Sequence, residues 1–236
     1  MIKKVLFLKL VFLMLSVTNA QNLEGAWEAI EVDENGTEVR YTTIVSGNYF
    51  SEAFFEKETG KFLGTMGGNF TSENGVLTYT LEFASIDSNL VGTTNSAPYK
   101  FMDGKLHIGY KVWSRLDDGS PGELAGAWLM SGRKRDGEIV KRDSSGARKT
   151  MKILSGSQFQ WIAYNTETKQ FMGTGGGTYT TIDGKYTENI GFFSRDDARV
   201  GASLLFNYEL KDGNWHHSGL SSKGQPIYEV WSKRME

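Results

Sequence analysis

The chain has no cysteine among its 236 residues. Disulfides, thiolate metal sites, a catalytic thiol and an acyl-cysteine lipid anchor are therefore excluded. It has only three prolines and three histidines. His216 and His217 are neighbours, which on a strand face opposite ways, and His107 is far from both, so the spacing of a zinc site is absent and no metal is expected. The basic residues form no block and the formal net charge is −2. That leaves no electrostatic footprint for nucleic acid and no polybasic patch for anionic lipid. Beyond the first twenty residues no run approaches the ~18 consecutive apolar residues of a membrane helix, and no stretch reads as a helix of three turns. The glycine run from Gly173 to Gly177 has no P-loop lysine and no following helix, so it is not a nucleotide loop. Neither a serine triad context nor a glycosidase-like carboxylate pair is evident, and no cofactor is expected.

The N-terminus reads as an address. Lys3 and Lys4 precede a mostly apolar run from Val5 to Val17, interrupted by Lys9, and Thr18-Asn19-Ala20 supplies small residues for cleavage. Residues 1–20 are expected to be a signal peptide, with the mature chain starting at Gln21 and the protein exported to the periplasm of a Gram-negative bacterium or secreted. Three of the 26 basic residues fall in this leader, which leaves 23 against 28 acidic ones. An exported protein without disulfides relies on its core, and about 216 residues can build one or two ordinary domains.

An internal repeat organises the rest. Leu23-Glu24-Gly25-Ala26-Trp27 returns as Leu124-Ala125-Gly126-Ala127-Trp128, and Ile44-Val45-Ser46-Gly47 as Ile153-Leu154-Ser155-Gly156. The run from Glu58 to Thr71 returns from Glu167 to Thr180. Asp103-Gly104 and His107 match Asp212-Gly213 and His216. Each copy closes on Val-Trp-Ser and a base: Val112-Trp113-Ser114-Arg115 and Val230-Trp231-Ser232-Lys233. Within the copies, Phe159, Trp161 and Ala163 alternate with Gln158 and Gln160. Tyr186, Glu188, Ile190 and Phe192 alternate with Thr187, Asn189 and Gly191; Leu204, Phe206, Tyr208 and Leu210 share another face. This period of two indicates half-buried antiparallel strands, punctuated by hairpin signals at Asn35-Gly36, Asn74-Gly75, Asp103-Gly104, Asp183-Gly184 and Asp212-Gly213. The glycine-rich strands fit sharp coiling of a closing sheet or close approach of another segment. The expectation is all-β: two tandem antiparallel up-and-down barrels, over 21–117 and 123–236, joined by a linker at 118–122.

With Gly25-Ala26-Trp27 and Gly126-Ala127-Trp128 opening the copies, and a base closing each, the chain resembles the lipocalin-like, or calycin, group. The whole mature chain is similar to small lipocalin-like domains of exported Bacteroidetes-type proteins, through the glycine-rich strand, Tyr186-Thr187-Glu188 and Glu229-Val230-Trp231. The resemblance implies that Trp27 and Trp128 close their barrels against Arg115 and against Lys233 or Arg234.

Small barrels either fill their interior or hold one small ligand. Glu188 should point inward by parity, where a carboxylate must be paired or protonated; the first copy offers Tyr79 there, which directs attention to the second copy. His217 shares a face with Trp215. Arg195 and Arg199 flank Asp196-Asp197 and fit either a solvated charged turn or an anion clamp at a barrel mouth. Trp161, Tyr164, Tyr179, Tyr186 and Tyr208 supply aromatic surface for packing or for stacking on a sugar. Three functions remain open. One is an exported protein binding a lipid-like or carbohydrate ligand in the second barrel, through Glu188, His217, Tyr179, Tyr186, Tyr208, Trp161, Arg195 and Arg199. Another is an enzyme on an acidic sugar using Glu188, His217 and a tyrosine. The third is a structural module with filled barrels. The missing nucleophile and metal motifs favour a non-enzyme.

Overall fold

The computed structural model describes residues 22–221 and 223–234; the leader expected over 1–20 lies outside them. The first copy forms β1 (Gly25–Val32), β2 (Glu38–Ser46), β3 (Tyr49–Glu56), β4 (Phe62–Glu73), β5 (Val76–Ala84), β6 (Thr94–Met102), β7 (Lys105–Ile108) and β8 (Lys111–Asp117). Each pairs antiparallel with the next, and β1 pairs with β8 to close the barrel. The second copy forms β9 (Gly126–Arg135), β10 (Glu138–Lys141), β11 (Arg148–Leu154), β12 (Gln158–Asn165), β13 (Phe171–Ile182), β14 (Lys185–Phe193), β15 (Ser203–Lys211), β16 (Asn214–Leu220) and β17 (Pro226–Lys233). Here β9 pairs with β11 and β17, which closes an eight-stranded barrel, while β10 is a short hairpin partner on the end of β9. The helical residues described are two single 3-10 turns, Ser88–Leu90 and Asp197–Arg199. Among the described residues no helix is long and apolar enough to cross a membrane.

The repeated sequence markers do the same work in both copies. Trp27 and Trp128 are buried, and each indole donates to the carbonyl four residues earlier, Leu23 at 2.8 Å and Leu124 at 2.9 Å. The Arg115 guanidinium lies 4.0 Å over the Trp27 ring, and Lys233 lies 5.6 Å over that of Trp128. Arg234, the other basic residue near the end of the chain, goes elsewhere. Because strands alternate in direction, this plugged end also carries the tight hairpins at 47–48, 74–75 and 103–104, while the longer connections at 33–37, 57–61 and 85–93 and the turn at 109–110 rim the opposite end.

The glycine-rich strands are explained by bulges. Register shifts fall between Gly67 and Gly68 and, equivalently, between Gly176 and Gly177. A Cβ on Gly68 would stand 2.0 Å from the Thr80 carbonyl oxygen, and one on Gly177 would stand 2.0 Å from that of Asn189. No side chain fits there. The bulge also inverts facing. Phe192, which strict alternation puts inside with Tyr186, Glu188 and Ile190, instead leaves the second barrel and stacks on Phe55 of the first, with centroids 4.9 Å apart.

The outer faces of β2–β5 and β11–β14 meet each other, so the two barrels share a buried interface rather than hanging from a linker. One apolar cluster joins Ile44, Tyr49 and Phe83 to Met151, Ile153, Ile162 and Tyr164. Gln160, read from the alternation as a solvent-side partner of the inward aromatics, is buried in this interface and donates to Thr65 at 2.8 Å and Thr174 at 3.0 Å. Asp117, at the end of β8, reaches the β11–β12 turn: its carboxylate accepts from the Ser155 and Ser157 hydroxyls and the Gly156 and Ser157 amides. Burial opposes ionisation of Asp117, but these bonds outweigh it and hold its carboxyl below the usual range.

Candidate functional site

In the second barrel the sequence-selected residues converge on an ion pair. Glu188 on β14 points inward, and its Oε1 accepts from Lys152 Nζ of β11 at 2.7 Å, with both side chains only 6% exposed. The lysine is surrounded by ring faces, at 5.0 Å from Tyr186, 4.9 Å from Trp215 and 5.3 Å from Trp231. His217 is buried beside them, its ring centroid 4.2 Å from Phe206, and its Nδ1 lies 3.5 Å from a Glu229 oxygen, too far for a good hydrogen bond. Burial and the Lys152 charge push the His217 pKa down, so the imidazole is neutral near pH 7. Burial works against the Glu229 charge, yet His217, Lys152 and Arg133 together keep that carboxyl below its ordinary value; Arg133 donates to it at 3.0 Å. Burial and the Glu188 charge raise the Tyr186 hydroxyl well above its usual range.

Glu188 and Lys152 satisfy each other, whereas the Tyr186 hydroxyl, both ring nitrogens of His217 and the indole N–H groups of Trp215 and Trp231 are buried without a hydrogen-bond partner among the described residues. Trp128, Tyr179, Tyr186, Phe206, Trp215 and Trp231 form one buried cluster around them, so Glu188 and His217 face each other's partners rather than an approach from solvent. The other sequence-selected residues are dispersed. The Tyr179 hydroxyl donates to the Ser155 carbonyl at 2.5 Å at the plugged end. Tyr208 donates to Glu123. Trp161 packs edge-on against Phe193, 5.5 Å between centroids. Arg195 donates to the Met172 carbonyl, and Arg199 pairs with Asp196 at 3.1 Å while lying 5.3 Å over the Phe193 ring. Tyr164 sits in the inter-barrel interface and donates to Glu82 at 2.7 Å. The structure thus joins Glu188, His217 and Tyr186, and separates the two arginines from them. Lys152 was missed. Its signal was present, as a lysine inside the otherwise apolar run Met151–Leu154, on a strand whose two faces are both buried.

An internal cavity of about 260 Å³ lies in the first barrel, not in the copy to which Glu188 directed attention. Its walls are apolar, including Val45, Phe50, Phe70, Leu77 and Leu106, and its floor is Trp27 with Trp113. Toward the loop-rimmed end stand Lys111, Glu52, Thr43 and the 85% exposed Tyr110. Lys111 Nζ lies 3.1 Å over the Tyr41 ring, 3.7 Å from a Glu31 oxygen and 3.9 Å from a Glu52 oxygen. These carboxylate separations are ionic approaches, longer than a direct charge-assisted hydrogen bond. Burial raises the Glu52 pKa against the lowering effect of Lys111 and of the Thr43 hydroxyl, which donates to it at 3.3 Å. Burial lowers the Lys111 pKa. A loosely held, partly desolvated acid–base pair at the rim of an apolar cavity can exchange its mutual contacts for those of an incoming polar group; a tight pair sealed by rings cannot do so cheaply.

Among the described residues no group of three or more His, Asp or Glu side chains is arranged to hold a metal ion. The chain matches no family model and no curated protein.

Proposed function

We propose that this is an exported, lipocalin-like binding protein whose first barrel holds a small, mainly apolar molecule with one hydrogen-bonding head group. The observation that carries this is the 260 Å³ cavity with apolar walls and a single polar edge at Lys111 and Glu52. Small-molecule sites combine a mostly apolar lining with a few placed polar groups, and drug-sized ones occupy roughly 300–1,000 Å³; the cavity here is just smaller, which points to a compact, lipid-like ligand. The Trp27–Arg115 plug at the floor supports the lipocalin-like reading, as does the second use of the same device at Trp128 and Lys233. The leader expected at 1–20 supports export, and the resemblance carried by the glycine-rich strand, Tyr186-Thr187-Glu188 and Glu229-Val230-Trp231 supports a Bacteroidetes-type source. In this account the second barrel, with its charges sealed, serves as the partner that braces the first.

Titration with the fluorescent apolar probe N-phenyl-1-naphthylamine tests the proposal. The expected result is saturable binding that Ala97→Phe, which fills the cavity, weakens at least about tenfold, a loss of about 1.4 kcal/mol. Lys111→Met and Glu52→Gln should change the preference among ligand head groups more than affinity for the probe itself. Equal probe binding by the wild type and Ala97→Phe would place the probe outside this barrel and remove the proposal.

A further inference from the structure

The inter-barrel interface is built about a local two-fold axis. Alignment of the repeats pairs Phe62 with Phe171, and these two rings stack on each other at 6.2 Å. Phe83 corresponds to Phe192 and Phe55 to Tyr164; the contact Phe83–Tyr164 at 5.0 Å is accordingly mirrored by Phe192–Phe55 at 4.9 Å. Thr65 and Thr174, also equivalent, meet at Gln160. Such self-complementary packing is that of an isologous dimer, here within one chain. Any position on one side of the axis therefore has an equivalent position on the other.

On one side the interface is plugged. Arg234 crosses from the end of the second barrel, donates to Glu82 at 2.6 Å, lies 3.3 Å from the Tyr164 hydroxyl and 3.4 Å from the Met151 sulfur, and covers the Tyr49 ring at 4.0 Å. On the other side the equivalent positions are Leu116 for Arg234, Gly191 for Glu82, Phe55 for Tyr164, Thr42 for Met151 and Gln158 for Tyr49. All five of those residues line a single cleft of about 320 Å³. The seat is present on both sides, but here it lacks the guanidinium and the carboxylate that fill it on the other.

We propose that this cleft is a second binding site, distinct from the barrel interior, for a neutral hydroxylated ring of the size of a monosaccharide. Three features set that class. The floor is apolar, formed by Phe55 and Phe192, which stack on each other, are buried, and leave only a small apolar contact for the C–H groups of a ring. The walls carry amides and hydroxyls on Gln158, Asn189, Thr178 and Thr42. The charges at the mouth are compensated or repel an anion: Arg40 is held by Glu28 at 2.6 Å, Lys57 by Glu38 at 2.8 Å, and the exposed Glu58 stands beside them. The acid that holds a guanidinium on the plugged side is a glycine here, so a cationic ligand has no counterpart to Glu82.

The test uses the full mature chain. Glucose, galactose, mannose and N-acetylglucosamine are titrated singly and followed through the amide resonances of Gln158, Gly177, Asn189 and Gly191, with citrate as the anionic control. At least one sugar should saturate those shifts by about 10 mM, and citrate should not. The double variant Leu116→Arg/Gly191→Glu rebuilds the plug of the other side, and a Cβ at residue 191 meets nothing closer than 3.4 Å. It should lower sugar affinity at least about tenfold and leave N-phenyl-1-naphthylamine binding in the first barrel unchanged. Should that variant fail to fold, Gln158→Leu/Thr178→Val removes the hydrogen-bonding wall and should give the same loss. The proposal is overturned if no sugar shifts these resonances, if citrate binds more tightly than every sugar, or if a folded variant of either kind keeps wild-type sugar affinity.

Discussion

The two barrels share a frame and differ in where they keep their charges. Both are closed by a tryptophan under a base, and both are pinched at equivalent glycine bulges. Yet the Lys152–Glu188 pair stands at positions the first barrel leaves uncharged, whereas of the first barrel's pair only Lys111 is matched by a charged residue, and that one is an acid. The second barrel has Lys152 and Glu188 where the first has Thr43 and Tyr79; the first has Glu52 and Lys111 where the second has Trp161 and Glu229. In the second barrel the pair is tight and ringed by indoles; in the first it is loose and borders a cavity. The difference teaches that duplication preserves what makes the sheet close, whereas the interior is free to diverge toward a filled core or a vacant one. A buried pair is not by itself a site. What matters is whether its members have satisfied each other.

That contrast can be broken by mutation. Lys152→Met leaves the Glu188 carboxylate buried without a partner and should cost about 3–5 kcal/mol in denaturant unfolding. Lys111→Met should cost less than Lys152→Met, because burial already raises the pKa of Glu52, which can take up a proton when its loosely held partner is removed. Equal losses would erase the distinction between a sealed and an open barrel. The plug tryptophans sharpen it further. Trp128→Ala and Trp27→Ala should both cost about 3 kcal/mol or more, as large aromatic deletions in a packed core do, because both rings are equally buried, which confines the contrast to the space above the plugs.

Much of this architecture was legible in the sequence. The Gly-Ala-Trp and Val-Trp-Ser markers and the period of two gave two all-β barrels, because alternation reports one buried face directly. Three things were not. The facing of Phe192 was missed because a bulge adds one residue and inverts parity, and glycines at 176 and 177 say that something close is accommodated without saying which side turns. The inter-barrel interface was missed because it buries the outer faces, where Gln160 reads as solvated until Thr65 and Thr174 are seen to satisfy it. The site residues were legible only in part: Glu188 was found inward, but its partner Lys152 lies 36 residues away on another strand, and pairing across a barrel leaves no local pattern.

The smaller effects concern the joint between the barrels and the second interior. Asp117→Asn removes the charge that accepts from Ser155, Gly156 and Ser157 and should cost about 1–2 kcal/mol at pH 7. Because the folded-state pKa of Asp117 is depressed, its contribution is complete above the ordinary carboxylate range and fades as pH falls through that range toward the folded value; the variant should lack this component. His217 acts at higher pH. Its folded pKa lies below the ordinary imidazole value of 6.5, so the unfolded chain takes up a proton first, and stability should fall as pH drops below 7. The imidazole resonances of His217 should titrate below the ordinary imidazole range; a His217 that titrates within it would show that the second barrel admits water.

The central claim, an open first barrel beside a sealed second one, is tested most directly by locating a bound small molecule. Nuclear Overhauser contacts between N-phenyl-1-naphthylamine and the full chain would do so. Contacts are expected from the probe to the side chains of Leu77, Ala97 and Ile108, which line the first cavity, and none to Tyr186, Phe206 or Trp215. Contacts to those second-barrel rings, with the first barrel silent, would contradict it.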